Sequence, residues 1–382
     1  MKKLFLLAVF VLIGCASQTD SPRGKFSAKP LSHAKNFGVE SVEGFRILWV
    51  KNENADTLRW ILLDSASGES FRREALSKDL AELPALKVPL KRIVILSSTY
   101  FGFLKPLGAE EKIVGIDSRK NIADSAFFFR VAEGNVEEVG EGAETSAEKI
   151  LSLNPDAVFS FTTGTSVHDA FPKLHKLKMP VLLVAEWQES TPLARAEWIK
   201  FFGILVGREA LADSLFSDME KRYFFLKGFV DSVSAGERPV VALGMPSFGK
   251  WYASASNGLM ANLVRDAGGK YLWEGDFSES SFSMPFEKAF ADLGNADFWL
   301  ASVGVEFLGR SIEDEKRVKR LPVWEARKIY GNDLRRGPLS GSDFYESAVV
   351  KPDSLLLDVA KILHPAYFRE SSPKWYRKLS TF

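Results

Sequence analysis

The chain has 382 residues, 46% of them hydrophobic and 12% aromatic, with 50 Lys and Arg against 49 Asp and Glu. A formal net charge of +1 gives no field to steer nucleic acid, and a single cysteine excludes internal disulfides, so stability rests on hydrophobic burial. With a short leader set aside, roughly 350 residues remain, more than one compact core supports, and two lobes are expected.

Met1-Lys2-Lys3 precedes an apolar run from Leu4 to Ile13, which is too short to span a bilayer and reads as an export signal over residues 1–15. It ends in Leu12-Ile13-Gly14-Cys15, which resembles the bacterial lipobox; the resemblance implies a lipid on Cys15 and cleavage just before it. A polar tether is expected over 16–36. No later stretch reaches the length of a membrane span.

Gly44 to Val50 and Thr57 to Leu63 read as a hairpin around the turn-favouring residues 51–56. Arg92 to Leu96 is a β-branched run without amphipathic period, suiting a strand buried on both faces. Further strands are expected at Lys112 to Ile116, Ala157 to Phe161 and Val181 to Ala185, each ending in a polar loop, with a helix at Glu148 to Leu153. Strand, loop and helix in alternation define an α/β lobe over 37–190 with a mostly parallel sheet.

After Pro192 apolar residues recur at helical spacing through Trp198, Phe202, Phe216, Tyr223 and Val230, so 191–236 reads as linking helices broken at Gly207. A helix from Arg208 to Val233 is about 39 Å long, enough to reach from one lobe to the next. A second α/β lobe is expected over 237–368. It has strands at Pro239 to Leu243 and Phe298 to Ser302, an aromatic loop over 244–252, helices at 258–267, 286–293 and 354–363, and a tail over 369–382.

This order of segments resembles the substrate-binding lipoproteins of iron-siderophore, haem and cobalamin ABC importers. The resemblance is carried by Ala147-Glu148-Lys149-Ile150-Leu151-Ser152-Leu153-Asn154-Pro155-Asp156-Ala157-Val158 above all, with Arg92 to Leu96, Lys112-Ile113-Val114-Gly115, Leu177 to Val181, Gly207 to Ala210, Asn257 to Gly269 and Phe286-Glu287-Lys288 in support. It covers about residues 91–368. The segment from Phe37 to Leu63 departs from the common pattern and looks like an N-terminal extension found in a branch of the iron-type proteins. The resemblance implies two lobes joined by a rigid helical backbone and capture of a small molecule rather than catalysis. It further implies a monomer without resident cofactor, and delivery to a membrane permease whose arginines meet one glutamate from each lobe, by position Glu148 and Glu287. Each glutamate also has an ordinary explanation in the first turn of its helix, Glu148 within a Thr145 capping box.

Open α/β sheets hold ligands beyond the carboxyl ends of their strands. The candidates there are Thr99, Tyr100, Phe101, Arg119, Thr163, Trp187, Phe248, Lys250, Trp251, Tyr252, Arg335, Arg336, Phe344 and Tyr345. An anionic ferric chelate calls for guanidinium groups and aromatic walls, and the Arg335-Arg336 pair tilts the reading toward it over cobalamin or haem. Direct metal capture is not expected, because His33, His168, His175 and His364 form no ligand cluster. There is no Gly-x-Ser-x-Gly, Walker loop or His-Glu-x-x-His, so nothing points to an enzyme.

Overall fold

The computed structural model describes residues 31–52, 57–64, 72, 76–164, 169–275, 281–302, 317–368 and 372–379. Cys15, the signal, most of the tether and His168 lie outside them.

Strands β1 (Phe37–Val42), β2 (Phe45–Lys51), β3 (Thr57–Leu63) and β4 (Ala85–Lys87) form one sheet in that order, antiparallel except for the parallel β3–β4 pair. The expected hairpin is β2–β3. Strand β1 was not foreseen, because its turn onto β2 is Glu43-Gly44, both at positive φ, rather than the Asn-Gly that signals a tight hairpin.

The first lobe carries β5 (Ile93–Ile95), β6 (Ile113–Ile116), β7 (Glu137–Glu138), β8 (Ala157–Ser160) and β9 (Val181–Leu183), all parallel in the order β7-β6-β5-β8-β9. The complete burial of β5, β8 and β9 explains their unbroken apolar runs. Helices α1 (Ser98–Leu104), α2 (Ser125–Ala132), α3 (Ala147–Leu153) and α4 (Phe171–Lys176) alternate with these strands. The strand order reverses between β5 and β8, opening a crevice at their carboxyl ends.

Linking helices α5 (Pro192–Glu197), α6 (Ile199–Val206) and α7 (Glu209–Val233) follow, and Gly207 closes α6 in the left-handed region at φ 72°. Helix α7 touches the N-terminal sheet at one end, through Glu209 and Arg46 at 3.0 Å. Further along, Tyr223 and Lys227 hold Asp266 of the second lobe at 2.7 and 2.6 Å. One continuous apolar core runs from Phe37 through Phe202 and Tyr223 to Trp299 and Leu356, so the lobes are packed on the helices rather than hung from a flexible strand.

In the second lobe β10 (Val240–Leu243) is followed by the hairpin of β11 (Met245–Ser247) and β12 (Lys250–Ala253). Then come α8 (Leu259–Asp266), β13 (Lys270–Tyr271), β14 (Phe282–Pro285), α9 (Phe286–Leu293), β15 (Phe298–Ala301), α10 (Pro322–Glu325), β16 (Ile329–Gly331), α11 (Pro352–Leu363) and β17 (Arg377–Lys378). The main sheet runs β13-β10-β15-β16-β17, antiparallel only at β17, beside a small antiparallel sheet β11-β12-β14. The stretch 244–252, expected as a loop, is largely that hairpin. Phe248 and Gly249 both take positive φ at its tip, and strand alternation turns Trp251 inward and Tyr252 outward.

Residues 372–379 are not a loose tail. Strand β17 extends the main sheet, Asp358 accepts the backbone N–H of Lys374 and Trp375 at 2.7 Å, and Trp375 is wholly buried. The N-terminal tether is likewise shorter than expected. Glu197 of α5 accepts the backbone N–H of Ser32 at 2.9 Å and of His33 and Ala34 at 2.8 Å, while Glu189 accepts those of Lys35 and Asn36 at 3.0 Å.

Candidate functional site: a polar cleft between the lobes

A cleft of about 900 Å³ opens over the carboxyl ends of β5, β6 and β8. Its floor comes from the first lobe: Ser97, Ser98 and Thr99 after β5, Asp117 after β6, Ser160 and Phe161 at the end of β8, and the turn from Glu141 to Glu144. Its roof comes from the second lobe, Ser340-Gly341-Ser342 and Tyr345. A polar residue at the end of a parallel strand is free of the sheet's hydrogen bonds, so it can serve a ligand.

The roof is fixed to the floor. Thr99 donates its hydroxyl to the Tyr345 carbonyl at 2.9 Å, and Glu346, in the π-helical turn Phe344–Ala348, accepts the backbone N–H of Ala123 and Asp124 at 2.7 and 2.9 Å. At Gly102 and Gly341 the chains approach so closely that a Cβ would overlap the Glu346 and Ile122 carbonyls, which is why these two positions lack side chains. Burial pushes the Glu346 carboxyl up to about 7, its two backbone donors opposing the shift.

Asp117 is 8% exposed. Its Oδ2 accepts the Asn121 amide at 3.1 Å, an amide that also bonds Glu141 at 2.7 Å, while its Oδ1 is buried without a hydrogen-bond partner. Burial raises its carboxyl to about 7; the Ser118 backbone N–H and Asn121 oppose the shift, and Glu141 adds to it. Behind the cleft Glu186 pairs with Arg195 at 3.1 Å, and burial raises the Glu186 carboxyl despite that arginine. Tyr345 is 42% exposed at the rim, its hydroxyl donating to the Ser302 carbonyl at 3.4 Å.

Of the sequence candidates, Thr99 and Tyr345 line the cleft. Tyr100, Phe101, Trp251 and Phe344 lie in the core: Phe101 stacks on Phe127 at 4.2 Å and the Trp251 indole donates to the Leu243 carbonyl at 3.0 Å. A large ring after a strand read as a cleft wall, but alternation within β12 turns that of Trp251 into the second lobe. Thr163 bonds Asp169 at 2.9 Å within its own loop, and Arg119 faces Glu138 at 3.5 Å. Trp187, 36% exposed, lies in the turn after β9, while Phe248, Lys250 and Tyr252 are exposed on the β11–β12 hairpin. Arg335 and Arg336 are engaged internally, with Asp343 at 2.6 Å and Asp333 at 2.9 Å.

Asp117, Asn121, Glu141 and the Ser340–Ser342 turn were missed. Asp117 carries a signal in the sequence, a carboxylate ending a buried strand, but an anionic chelate calls for guanidinium groups and aromatic walls rather than acids.

Glu148 and Glu287 are both exposed in the first turns of α3 and α9. Ser146, not Thr145, caps α3, accepting from the Lys149 N–H, and with a lysine at the third helical position the expected box does not form. Glu287 is paired with Arg317 at 3.1 Å. Among the described residues no three His, Cys, Asp or Glu could hold a metal ion, and no helix is long and apolar enough to cross a membrane. His175 stacks on Phe171, and His364 is buried against the Ala267 carbonyl at 3.0 Å.

Two α/β lobes on a helical spine, with a roofed polar cleft at the strand-order reversal, define a two-lobed solute-binding protein. A family model described as periplasmic binding protein matches residues 93–328, and the chain belongs to that family, whose members bind and transport substrates rather than catalyse reactions. It is 23% identical over 415 aligned residues to an uncharacterized lipoprotein of Methanocaldococcus jannaschii, covering 99% of this chain and 97% of that one. Over 162 residues it is 29% identical to the iron(3+)-hydroxamate-binding protein FhuD of Bacillus subtilis, covering 42% and 44% of the two chains. The fold matches a periplasmic heme binding protein from Pseudomonas aeruginosa with TM-score 0.57, 15% identity and coverage of 76% of this chain and 99% of that one. It also matches the triscatecholate siderophore binding protein FeuA from Bacillus subtilis with TM-score 0.54, 19% identity and coverage of 75% and 96%.

Proposed function

We propose that this protein is the extracytoplasmic substrate-binding component of an ABC importer, capturing an iron chelate between its lobes and delivering it to a membrane permease. The observation that carries the reading is the roofed cleft of about 900 Å³ at the strand-order reversal, a volume suited to a compact small molecule. The iron(3+)-hydroxamate-binding relative supports iron as the cargo. Cys15 serves as the lipid anchor, a role supported by a lipoprotein relative that aligns along 99% of the chain. Glu148 and Glu287, exposed on separate lobes, are the permease contacts.

The first test is intrinsic tryptophan fluorescence of the purified chain titrated with ferric hydroxamate and catecholate chelates, haem and cobalamin, corrected for ligand absorbance. Saturable quenching by a ferric chelate at low micromolar or tighter is expected, with Trp187 a reporter. No saturable response to any ferric chelate would remove the iron reading. For docking, the double variant Glu148→Arg, Glu287→Arg should keep chelate affinity within threefold while lowering ligand-stimulated ATPase of the reconstituted permease more than tenfold. Unchanged stimulation would remove both residues from the interface.

A further inference from the structure

Asp117 is more than nine-tenths buried, its Oδ1 has no protein partner, and it lines the cleft. Buried polar atoms in folded proteins are nearly always hydrogen-bonded, so an orphaned carboxylate oxygen on a cavity wall marks a place for a donor from outside the chain. The charged residues of the cleft lining itself are all acidic, with Lys120 pairing Glu141 from outside the lining. Glu141 and Glu144 share the cleft wall with Asp117, and among the described lining residues there is no Lys, Arg or His. The guanidinium groups that the sequence offered for an anion are already engaged by Asp343 and Asp333. Arg195, outside the cleft lining, is paired with Glu186, its Nε without a hydrogen-bond partner.

From this juxtaposition we infer that Asp117 selects the charge of the cargo: the cleft accepts a ligand that is neutral or cationic overall and places an ammonium, N–H or O–H donor against the free oxygen of Asp117. A polyanionic chelate would set like charges against Glu144 and the ionised form of Asp117 in a partly desolvated cavity, where like charges oppose binding, while Glu141 is partly offset by its Lys120 partner. Other lining groups, among them the hydroxyls of Ser97 and Ser342, suit a neutral ligand periphery. This inference rests on the iron-chelate reading of the same cleft.

The test uses three ferric probes on the full chain: a linear trihydroxamate chelate carrying a free ammonium, a neutral cyclic trihydroxamate chelate, and a trianionic tris-catecholate chelate. The cationic or the neutral probe should bind at least tenfold tighter than the trianion. At pH 8, where the Asp117 carboxyl is ionised, Asp117→Asn keeps the shape and removes the charge, and it should weaken the cationic probe at least tenfold and change the neutral one less than threefold. Glu141→Gln, one step further from the free oxygen, should give a smaller loss for the cationic probe, and thermal melts establish that both variants fold. Tightest binding of the trianion, or an equal effect of Asp117→Asn on all three probes, would overturn the charge assignment while leaving iron capture intact. Failure of every ferric probe would instead remove the iron reading, and this inference with it.

Discussion

Glu197, at the junction of the N-terminal segment with the linking helices, and Asp117, in the cleft, are both buried carboxylates with opposite surroundings. Glu197 is wholly enclosed and accepts three backbone N–H groups and the Lys200 ammonium at 2.7 Å. Burial would raise its pKa, but Lys200 and the backbone donors of Ala34, Ser32 and His33 outweigh it and hold the carboxyl below its usual range. Asp117 has one side-chain donor, local backbone N–H groups of Ser118 and its own residue, a neighbouring carboxylate and an oxygen without a hydrogen-bond partner, and burial wins. The first carboxylate is saturated by its own chain and holds structure. The second is left open where the lobes meet, and that separates a ligand-facing group from a structural one of the same chemistry.

The largest effect should come from breaking the saturated site. Glu197→Ala strands Lys200 and releases the backbone of residues 32–34 from the helices, and removing one partner of a buried ion pair costs about 3–5 kcal/mol. Urea unfolding should show it; a loss below 1 kcal/mol would mean that the carboxylate does not hold this junction.

The open site should respond in the opposite sense. With a folded pKa of about 7 against an ordinary value of 3.8, Asp117 binds more protons folded than unfolded between those limits. Its contribution therefore makes stability fall as pH rises from about 4 through about 7, then level off. Glu346, also near 7, acts in the same direction. The depressed Glu197 works the other way, its stabilisation present above the unfolded pKa and lost as acid titrates it. Asp117→Asn should thus stabilise the unliganded protein by about 1–3 kcal/mol at pH 8 and by almost nothing at pH 4, flattening the neutral limb of the melting-temperature profile. Parallel profiles for wild type and variant would show that Asp117 is not held protonated by the fold.

The succession of strands and helices was legible because aliphatic runs and helical spacing are local properties of the chain. What escaped was non-local or depended on unusual turns. Glu43-Gly44 and Phe248-Gly249 make tight turns without Asn or Asp, so the sequence carries no turn signal for β1 or the β11–β12 hairpin and places Trp251 in a loop, where pleating in fact buries it. The N-terminal and C-terminal segments read as polar tails, yet their backbones are held by Glu189, Glu197 and Asp358, which lie far from them in most of these pairings. The cleft was legible in position, at the strand ends, but not in sign. Whether a charge is free depends on partners such as Asp343 for Arg335 and Asn121 for Asp117, and composition does not show who is paired.

Arg335 supplies the smallest effect and the sharpest check on that lesson. Its guanidinium faces Asp343 at 2.6 Å, and Asp343 also accepts the Trp375 indole at 3.0 Å, so the carboxylate keeps a donor when the arginine is removed. The arginine side chain is about half exposed, and exposed ion pairs contribute about 0–1 kcal/mol. Arg335→Ala should therefore lower stability by less than about 1 kcal/mol and leave the affinity for a ferric chelate within threefold. A tenfold loss confined to an anionic chelate would show that the arginine leaves Asp343 for the ligand, restoring the anion-binding expectation drawn from the Arg335-Arg336 pair and making the paired state of a surface charge a poor guide to its role.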